Sequence, residues 1–212
     1  MFKKTLFIYI SIVGIFIILT VSCNITGTDC GPFTNYNYKI TDFTTSLKQI
    51  AYTDPISQDV QLSSLEKDTL VFSELAIHMI PNTESYTAQA KPEFNLSFFE
   101  TAYACSPPIP SSEDKITDIQ IFSNKDYSNE FSSQNNLSEL FDIIVRYPNR
   151  SNQRVSLSEF LTSNPEAPTE IVLIPTTAPS TTNSFQLTIK YFQDGLELDH
   201  YEFTTNSIVI KN

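Results

Sequence analysis

The chain has 212 residues with 13 basic and 24 acidic side chains, a formal charge of −11, and it is rich in Phe and Tyr but has no Trp and only four Gly. This length suits one domain with a substantial core, or two small ones. The acidic balance opposes binding to nucleic acid or to anionic lipid headgroups, because both repel a chain of this charge.

Residues 1–22 have the order of a secretory signal peptide. Two basic residues, Lys3 and Lys4, precede a mostly apolar run from Thr5 to Leu19, and small residues lead on to Cys23. An apolar run of about 15 residues is shorter than the roughly 20 that a transmembrane helix needs. A cysteine in this place resembles the lipidated cysteine of bacterial lipoproteins. We therefore expect residues 1–22 to be removed and Cys23 to carry the lipid that anchors the protein.

The first part of the mature chain predicts a tether followed by strands. Residues 23–32 are expected to form the tether and residues 33–212 a single domain. Tyr38–Phe43 is the first strand candidate, and Thr45–Ala51 has the pattern of a short helical turn. Within Leu75–Met79 the large apolar residues alternate with Ala and His, which is typical of a strand.

The middle of the chain contains a proline-rich break and two short helical turns. Three prolines fall within Ser106–Glu113. Thr117, Ile119 and Ile121 then alternate with more polar residues and predict a strand. Leu137–Phe141 and Leu157–Leu161 predict single helical turns. Two further strand candidates are Asp142–Tyr147 and Glu170–Ile174.

The last part of the chain predicts a β-hairpin. Phe185–Tyr191 alternates apolar with polar residues, and Asp194-Gly195 separates it from a second run, Leu196–Phe203. An Asp-Gly pair between two such runs is typical of a tight turn in which both residues have positive φ. Ser207–Ile210 predicts a final strand.

Seven or eight short strands, separated by polar and proline-containing loops, indicate the fold class. We expect an all-β protein, a β-sandwich of immunoglobulin-like type, with a few short helical turns in the connecting loops. No internal repeat occurs in the sequence.

Four motifs of the mature chain together resemble an uncharacterised family of Bacteroidetes lipoproteins, a domain of unknown function. The likeness covers nearly the whole mature chain. It implies a surface or periplasmic lipoprotein and does not assign an activity. The motifs are Cys30-Gly31-Pro32-Phe33, Tyr38-Lys39-Ile40-Thr41-Asp42-Phe43, Tyr103-Ala104-Cys105-Ser106-Pro107-Pro108 and Ile119-Gln120-Ile121-Phe122-Ser123-Asn124-Lys125-Asp126-Tyr127.

With Cys23 lipidated, two cysteines remain. An exported protein meets an oxidising compartment, so Cys30 and Cys105 are expected to form a disulfide. A zinc site is the alternative, but the thiols lack CxxC spacing, and the only histidines, His78 and His200, are far apart in the sequence. We expect no metal and no cofactor.

The sequence offers little that indicates catalysis. It has no G-x-S-x-G elbow and no glycine-rich phosphate loop. Both histidines lie in strand-like runs, where a structural role is expected. Acidic residues cluster at Glu113-Asp114 and on the predicted hairpin, where Asp194 and Asp199 suggest a calcium site or, more simply, solvated turn charges.

Several acceptor motifs for glycans occur. Asp68-Thr69-Leu70 resembles the O-glycosylation triplet of exported Bacteroidetes proteins. The lipoprotein-like segment that ends at Cys23 favours a bacterial source over a eukaryotic one. The four Asn-x-Ser/Thr sequons begin at Asn24, Asn95, Asn136 and Asn149.

These observations together predict a protein of the cell envelope that is anchored by lipid at the outer membrane. The absence of an acidic run directly after Cys23 favours the periplasmic face over the cell surface. We expect a binding or scaffolding protein and not an enzyme, whose partner is another envelope protein or a glycan and not a nucleic acid. The alternatives are an envelope hydrolase and a secreted glycoprotein.

Overall fold

The computed structural model describes residues 36–56, 58–87, 111–148, 152 and 154–212. These residues belong to one compact unit that comprises residues 35–90 and 109–212. The signal peptide, the tether and all three cysteines (Cys23, Cys30 and Cys105) lie outside the described residues. The lipid anchor and the disulfide therefore stay predictions.

Thirteen strands occur within the described residues. The first six are β1 (Tyr36–Thr53), β2 (Val60–Ser64), β3 (Thr69–Val71), β4 (Leu75–Thr87), β5 (Ser111–Ser112) and β6 (Lys115–Ser123). The others are β7 (Phe141–Arg146), β8 (Arg154–Ser156), β9 (Glu170–Pro175), β10 (Asn183–Phe185), β11 (Leu187–Asp194), β12 (His200–Thr204) and β13 (Ile208–Lys211). The helical elements are short: two 3-10 turns, Phe72–Glu74 and Ser138–Leu140, and the helix α1 (Leu157–Thr162).

The strands form one large sheet and two small ones. The large sheet has the order β2-β1-β4-β9-β7-β8, and β5 pairs in parallel with the start of β1. The small sheets have the orders β10-β13-β3 and β12-β11-β6. Apart from the β1–β5 and β13–β3 pairs, the described strand pairs are antiparallel.

The main core lies between the large sheet and the two small ones. Phe43 of β1 packs its ring 4.6 Å from that of Tyr191 on β11 and 5.1 Å from that of Tyr201 on β12. The opposite face of the large sheet buries a second, smaller cluster that includes Val60, Ile144 and Val172. Both faces of the large sheet therefore bury apolar residues, which explains its near-continuous apolar strands such as β9.

The expectation of an all-β, sandwich-like fold is confirmed. The alternation predicted around Tyr191 is also confirmed, since Leu187, Ile189 and Tyr191 are fully buried. In β6 the predicted inward set needs one correction. A β-bulge shifts the register between Asp118 and Ile116, so Ile116 is buried, whereas Thr117 is exposed.

The predicted helical turn at Thr45–Ala51 is wrong. These residues lie within β1, where Lys48 and Gln49 pair with both β2 and β4. Hydrogen bonds to two neighbouring strands outweigh the weak local helical pattern, because β-structure depends on non-local pairing more than on local preference. The turns predicted at Leu137–Phe141 and Leu157–Leu161 are confirmed.

The predicted hairpin exists, but its tight turn does not. β11 ends at Asp194 and β12 begins at His200, so residues 195–199 form a five-residue loop, and Gly195 does not have positive φ. A Cβ atom at Gly195 would lie 2.5 Å from Gln193 Nε2 and 2.8 Å from the backbone oxygen of Leu198. Glycine is thus needed at position 195 because Gln193 and the backbone of Leu198 approach it too closely for a side chain.

Candidate functional site

The outward face of the β6–β11–β12 sheet presents polar and aromatic side chains. The odd-numbered residues of β11 are buried, so Thr188, Lys190 and Phe192 project to the other face. Residues directly opposite them on the antiparallel neighbours share that face. The three rows that result are Phe122, Thr188 and Thr204; Gln120, Lys190 and Glu202; and Asp118, Phe192 and His200.

The first two rows are joined by contacts across the strands. Thr188 Oγ1 and Thr204 Oγ1 are hydrogen-bonded at 2.9 Å. Lys190 Nζ lies 3.3 Å from Glu202 Oε2 and 5.6 Å from the centre of the Phe122 ring. The ammonium group is therefore held by a carboxylate and by an aromatic face at the same time.

The third row holds an aromatic pair. The Phe192 and His200 rings lie 5.3 Å apart at 34°, and the His200 side chain is 51% exposed with Nε2 3.9 Å from Glu202. Gln120 Nε2 donates to Asp118 Oδ2 at 2.7 Å. This end of the face offers an aromatic pair beside charged groups.

A groove of about 440 Å³ lies at the Phe122 end of this face. Phe122 and the Lys190–Glu202 pair contribute its apolar and charged parts. The remaining lining is uncharged: Ser123, Ser133, Thr188 and Thr204 supply hydroxyls, and Asn124 and Gln186 supply amides.

A second groove of about 620 Å³ is lined by the same loop, residues 124–133. Consecutive residues of this loop line different grooves: Asn124 lines the first and Lys125 the second, and Ser133 lines the first and Ser132 the second. The other lining residues of the second groove are Asp126, Ser128, Asn129, Ser180, Thr181 and Asn183. We call the two together the double groove.

The loop 124–133 is fixed to the rest of the fold. Asn124 exchanges two hydrogen bonds with Gln186: its backbone N–H donates to Gln186 O at 3.1 Å, and its Oδ1 accepts from Gln186 N at 2.9 Å. Tyr127 is buried with its ring 5.6 Å from that of Phe185, and burial raises the pKa of its phenol. The wall between the two grooves is therefore preformed.

The charges that line the double groove balance. In the second groove Lys125 Nζ donates to Asn183 Oδ1 at 2.8 Å, and Asp126 Oδ1 accepts from Ser133 N at 2.9 Å. In the first groove a lysine faces a glutamate. Two cations and two anions line a double groove of zero formal charge on a chain whose total is −11.

His78 lies elsewhere, on the large sheet, within an ion-pair cluster. His78 Nε2 is 2.7 Å from Glu170 Oε1, and Arg146 Nη1 lies 2.5 Å from the same oxygen. Arg146 Nη2 donates to Asp59 Oδ1 and to Val60 O, both at 3.0 Å. The cluster joins β4, β7 and β9 to the start of β2.

The protonation of this cluster follows from its contacts. Burial raises the pKa of the Asp59 carboxyl, but hydrogen bonds from Asn152, Arg146 and the backbone N–H of Val60 outweigh it, and the net pKa is lowered. Burial lowers the pKa of Arg146, while its bonds to Glu170 and Asp59 raise it by more. Both groups are therefore held in their charged forms.

The two histidines lie on different sheets. His78 belongs to β4 and is 14% exposed, whereas His200 begins β12 and is solvent-exposed. Among the described residues, no hydroxyl group hydrogen-bonds to either imidazole. A hydrolase with an activated serine or threonine needs that contact.

Glu113 and Asp114, adjacent in sequence, have different environments. Glu113 is exposed and accepts from Asn37 Nδ2 at 2.8 Å. Asp114 is 1% exposed, and its carboxylate accepts from the backbone N–H groups of Ile40 at 2.8 Å and of Leu196 at 3.2 Å. Asp114 is thus bound by the backbone and does not face a cleft with its neighbour.

Asp194 and Asp199 are exposed at the two ends of the hairpin loop. A calcium site would need several oxygen ligands that converge on one point. Within the part of the chain that the structure describes, no group of three or more His, Cys, Asp or Glu side chains could hold a metal ion.

Two acceptor motifs lie in the described residues. Asn136 is exposed, and its Oδ1 accepts from the backbone N–H groups of Ile121 at 3.0 Å and of Ser138 at 3.1 Å. Thr69 is half-buried within β3, next to the buried Leu70. The sequons at Asn24, Asn95 and Asn149 lie outside the described residues.

Comparisons with models of protein families, with curated proteins and with solved structures found no match. No helix of the described residues is long and apolar enough to cross a membrane.

Sequence reasoning did not identify the double groove. The polar rows on β11 could be inferred from its alternation, since Thr188 and Lys190 stand between buried residues. The loops of the double groove carry no such alternation. Residues 124–133 and 180–183 are Ser- and Asn-rich, and this composition indicates a loop but not the surface that it lines.

Proposed function

We propose that this protein is a lipid-anchored, non-enzymatic binding protein of the cell envelope, and that it binds its envelope partner in the double groove. In this proposal Cys23 holds the chain at the outer membrane, with the periplasmic face as its location. The resemblance to Bacteroidetes lipoproteins supports the anchor, and the groove supports the binding role.

The anchor rests on the sequence of residues 1–23. Cleavage before Cys23 leaves 11 basic and 24 acidic residues, a formal charge of −13. Such a chain is repelled by anionic headgroups, so membrane attachment has to come from acyl chains. More than one chain is needed for stable anchoring, and a lipidated N-terminal cysteine supplies them.

The binding role rests on one observation: a preformed double groove on an outward sheet face. Its loop wall is held by the Asn124–Gln186 bonds and by the buried Tyr127, so little conformational entropy is lost when a ligand binds. Volumes of about 440 and 620 Å³ fall within the range of ligand sites.

The contacts of the histidines support a role without catalysis. Glu170, the carboxylate beside His78, also binds Arg146, so it serves an ion-pair cluster that fixes β2 to the sheet. His200 is solvent-exposed, with Glu202 3.9 Å away. Neither arrangement has the nucleophile, base and orienting group that covalent catalysis uses.

The anchor is tested by labelling cells with a radioactive fatty acid. We expect the parent to be labelled and to sediment with the membrane fraction, and Cys23→Ala to be unlabelled. Cys30→Ala is the matched control and should be labelled like the parent. Equal labelling of Cys23→Ala would refute the anchor.

Protease treatment of whole cells tests the location: a periplasmic protein survives it, and a surface protein does not.

The binding role is tested by photo-crosslinking in intact cells. A photoreactive phenylalanine analogue replaces Gln186, which lines the groove, or Gln61, an exposed residue of β2. We expect an adduct with an envelope component from position 186 and none from position 61. Equal adducts from both positions, or none from position 186, would count against the double groove as the binding site.

A further inference from the structure

We infer that the double groove binds an uncharged polysaccharide. This inference rests on the proposed binding function and names its ligand class. Its basis is the chemistry of the groove lining, the balance of the groove charges and the pairing of the central strand β11 on both of its edges.

The groove lining is dominated by groups that both donate and accept hydrogen bonds. Eight of its 17 residues carry hydroxyls and four carry carboxamides. Serine and threonine hydroxyls and Asn and Gln side chains can each act as donor and acceptor. A sugar ring presents hydroxyls that also do both, so this lining can satisfy many of them at once.

The charges of the groove disfavour an ionic ligand. Lys190 is paired with Glu202, and Lys125 is offset by Asp126 on the same loop. A polyanion needs unpaired cations, and the −13 charge of the mature chain would repel it further. A polycation would need an excess of carboxylates, which this lining lacks. An uncharged polymer needs no unpaired charge in the lining and is not repelled by the chain.

The groove also has one apolar surface. Phe122 is half-buried and lines the groove, and Lys190 Nζ lies over one face of its ring. The C–H face of a sugar ring packs on such an aromatic side chain, while its hydroxyls reach the polar walls. Since the two grooves share the loop 124–133, we expect a chain of several sugars instead of a single one.

An extended peptide fits this surface less well. Peptides that bind sheets usually add a strand to an open edge through main-chain hydrogen bonds. β11, at the centre of the face, has both edges paired, with β6 and β12. Beside it, the backbone N–H of Asn124 donates to Gln186 O, and the backbone N–H of Gln186 donates to Asn124 Oδ1. Along β11, therefore, side chains and not free backbone groups face a ligand, and a peptide would have to add at the outer edge of β6 or β12.

The test is affinity electrophoresis of the full mature lipoprotein in a polyoxyethylene detergent, which contains no sugar. Native gels contain a soluble uncharged polysaccharide (glycogen, galactomannan, xyloglucan or a β-glucan) or a charged one (alginate or polygalacturonate). We expect at least one uncharged polysaccharide to retard the parent and neither charged one to do so.

Three variants locate the binding. Thr188→Val/Thr204→Val removes two groove hydroxyls with little change of shape, and Gln186→Ala removes an exposed amide. Because each hydrogen bond contributes about 0.5 to 1.5 kcal/mol, we expect the double variant to bind about tenfold more weakly. Thr44→Val/Thr83→Val, on the large sheet, is the control and should be retarded like the parent.

The outcomes separate the ligand class from the proposed function. Retardation by a charged polysaccharide alone, or equal retardation of the groove and control variants, overturns the inference. No retardation together with a position-186 adduct in cells overturns the polysaccharide and leaves the binding function standing. No retardation and no adduct overturns both.

Discussion

Asp114 Oδ2 accepts a 2.8 Å hydrogen bond from the backbone N–H of Ile40, and the two residues are 74 positions apart in the chain. The other carboxylate oxygen accepts from Leu196 N, and the backbone oxygen of Asp114 accepts from Ala167 N at 2.9 Å. One buried residue therefore joins β1, the start of β6, the segment before β9 and the β11–β12 loop. Its carboxylate is held by backbone N–H donors, and among the described residues no cationic side chain hydrogen-bonds to it.

We predict that Asp114→Asn lowers the free energy of unfolding by about 2 to 3 kcal/mol. The amide NH2 would face one of two backbone N–H donors, which leaves a buried donor without an acceptor. Urea unfolding of purified protein measures the change. Asp194→Asn alters an exposed residue and should change stability by less than about 0.5 kcal/mol. Equal stability of the two variants would contradict the role given to Asp114.

Gly195→Ala tests the packing of the hairpin loop. A Cβ would lie 2.5 Å from Gln193 Nε2, which is itself held by the backbone oxygen of Leu198 at 2.6 Å. The loop has to shift, and we expect a loss of about 1 to 3 kcal/mol. Leu196→Ala, at a neighbouring side chain that is 58% exposed, is the control. Thermal unfolding of both variants is the measurement, and a Gly195→Ala protein as stable as the parent would refute the close contact.

The buried tyrosines predict a loss of stability at alkaline pH. Burial raises the pKa of Tyr127 and of Tyr191, and for Tyr191 the nearby Asp114 raises it further. A group with a raised folded pKa contributes its full stability below the unfolded value, about 10 for tyrosine, and loses it as pH rises above that value. We expect Tyr127→Phe to make the fall of unfolding free energy above pH 10 shallower by about 1.4 kcal/mol per pH unit.

The control for this prediction is Tyr52→Phe, because Tyr52 is 53% exposed. Urea unfolding at several pH values between 9 and 11.5 gives the slope of stability against pH. A slope that Tyr127→Phe and Tyr52→Phe change equally would show that the buried phenol does not drive the alkaline loss.

Local patterns predicted the strands that alternate and missed the features that depend on distant partners. Leu187, Ile189 and Tyr191 could be assigned to the core from their spacing alone. The residues of Thr45–Ala51 could not, because their strand is stabilised by two neighbours. The sequence placed Asp114 only in an acidic cluster with Glu113, since no local pattern shows that Ile40 and Leu196 bring it their N–H groups. The double groove forms where the loops 124–133 and 180–183 lie side by side, and only the fold brings these two segments together.

The disulfide prediction concerns Cys30 and Cys105, which would close a loop of about 76 residues. In the chain-entropy model such a link stabilises the folded state by about 4 to 5 kcal/mol. We expect reductant to lower the melting temperature of the parent and to leave that of Cys30→Ser/Cys105→Ser unchanged. Mass spectrometry of the unreduced protein checks the link directly. A parent that melts identically with and without reductant would indicate two free thiols.

The Arg146 cluster predicts how stability changes at acidic pH. The pKa of Asp59 is lowered in the folded state, because hydrogen bonds from Asn152 and Arg146 outweigh the effect of burial. The stability that Asp59 contributes is therefore fully present above its unfolded pKa, about 3.9, and is lost as pH falls through the lower folded value. We expect Asp59→Asn to lower the free energy of unfolding by about 1 kcal/mol at pH 7, since the cluster is partly exposed, and by progressively less below pH 4.

Urea unfolding between pH 2.5 and 7 tests this, with Asp194→Asn as the control. A difference between parent and Asp59→Asn that stays constant over that range would mean that the charge of Asp59 does not hold β2 to the sheet.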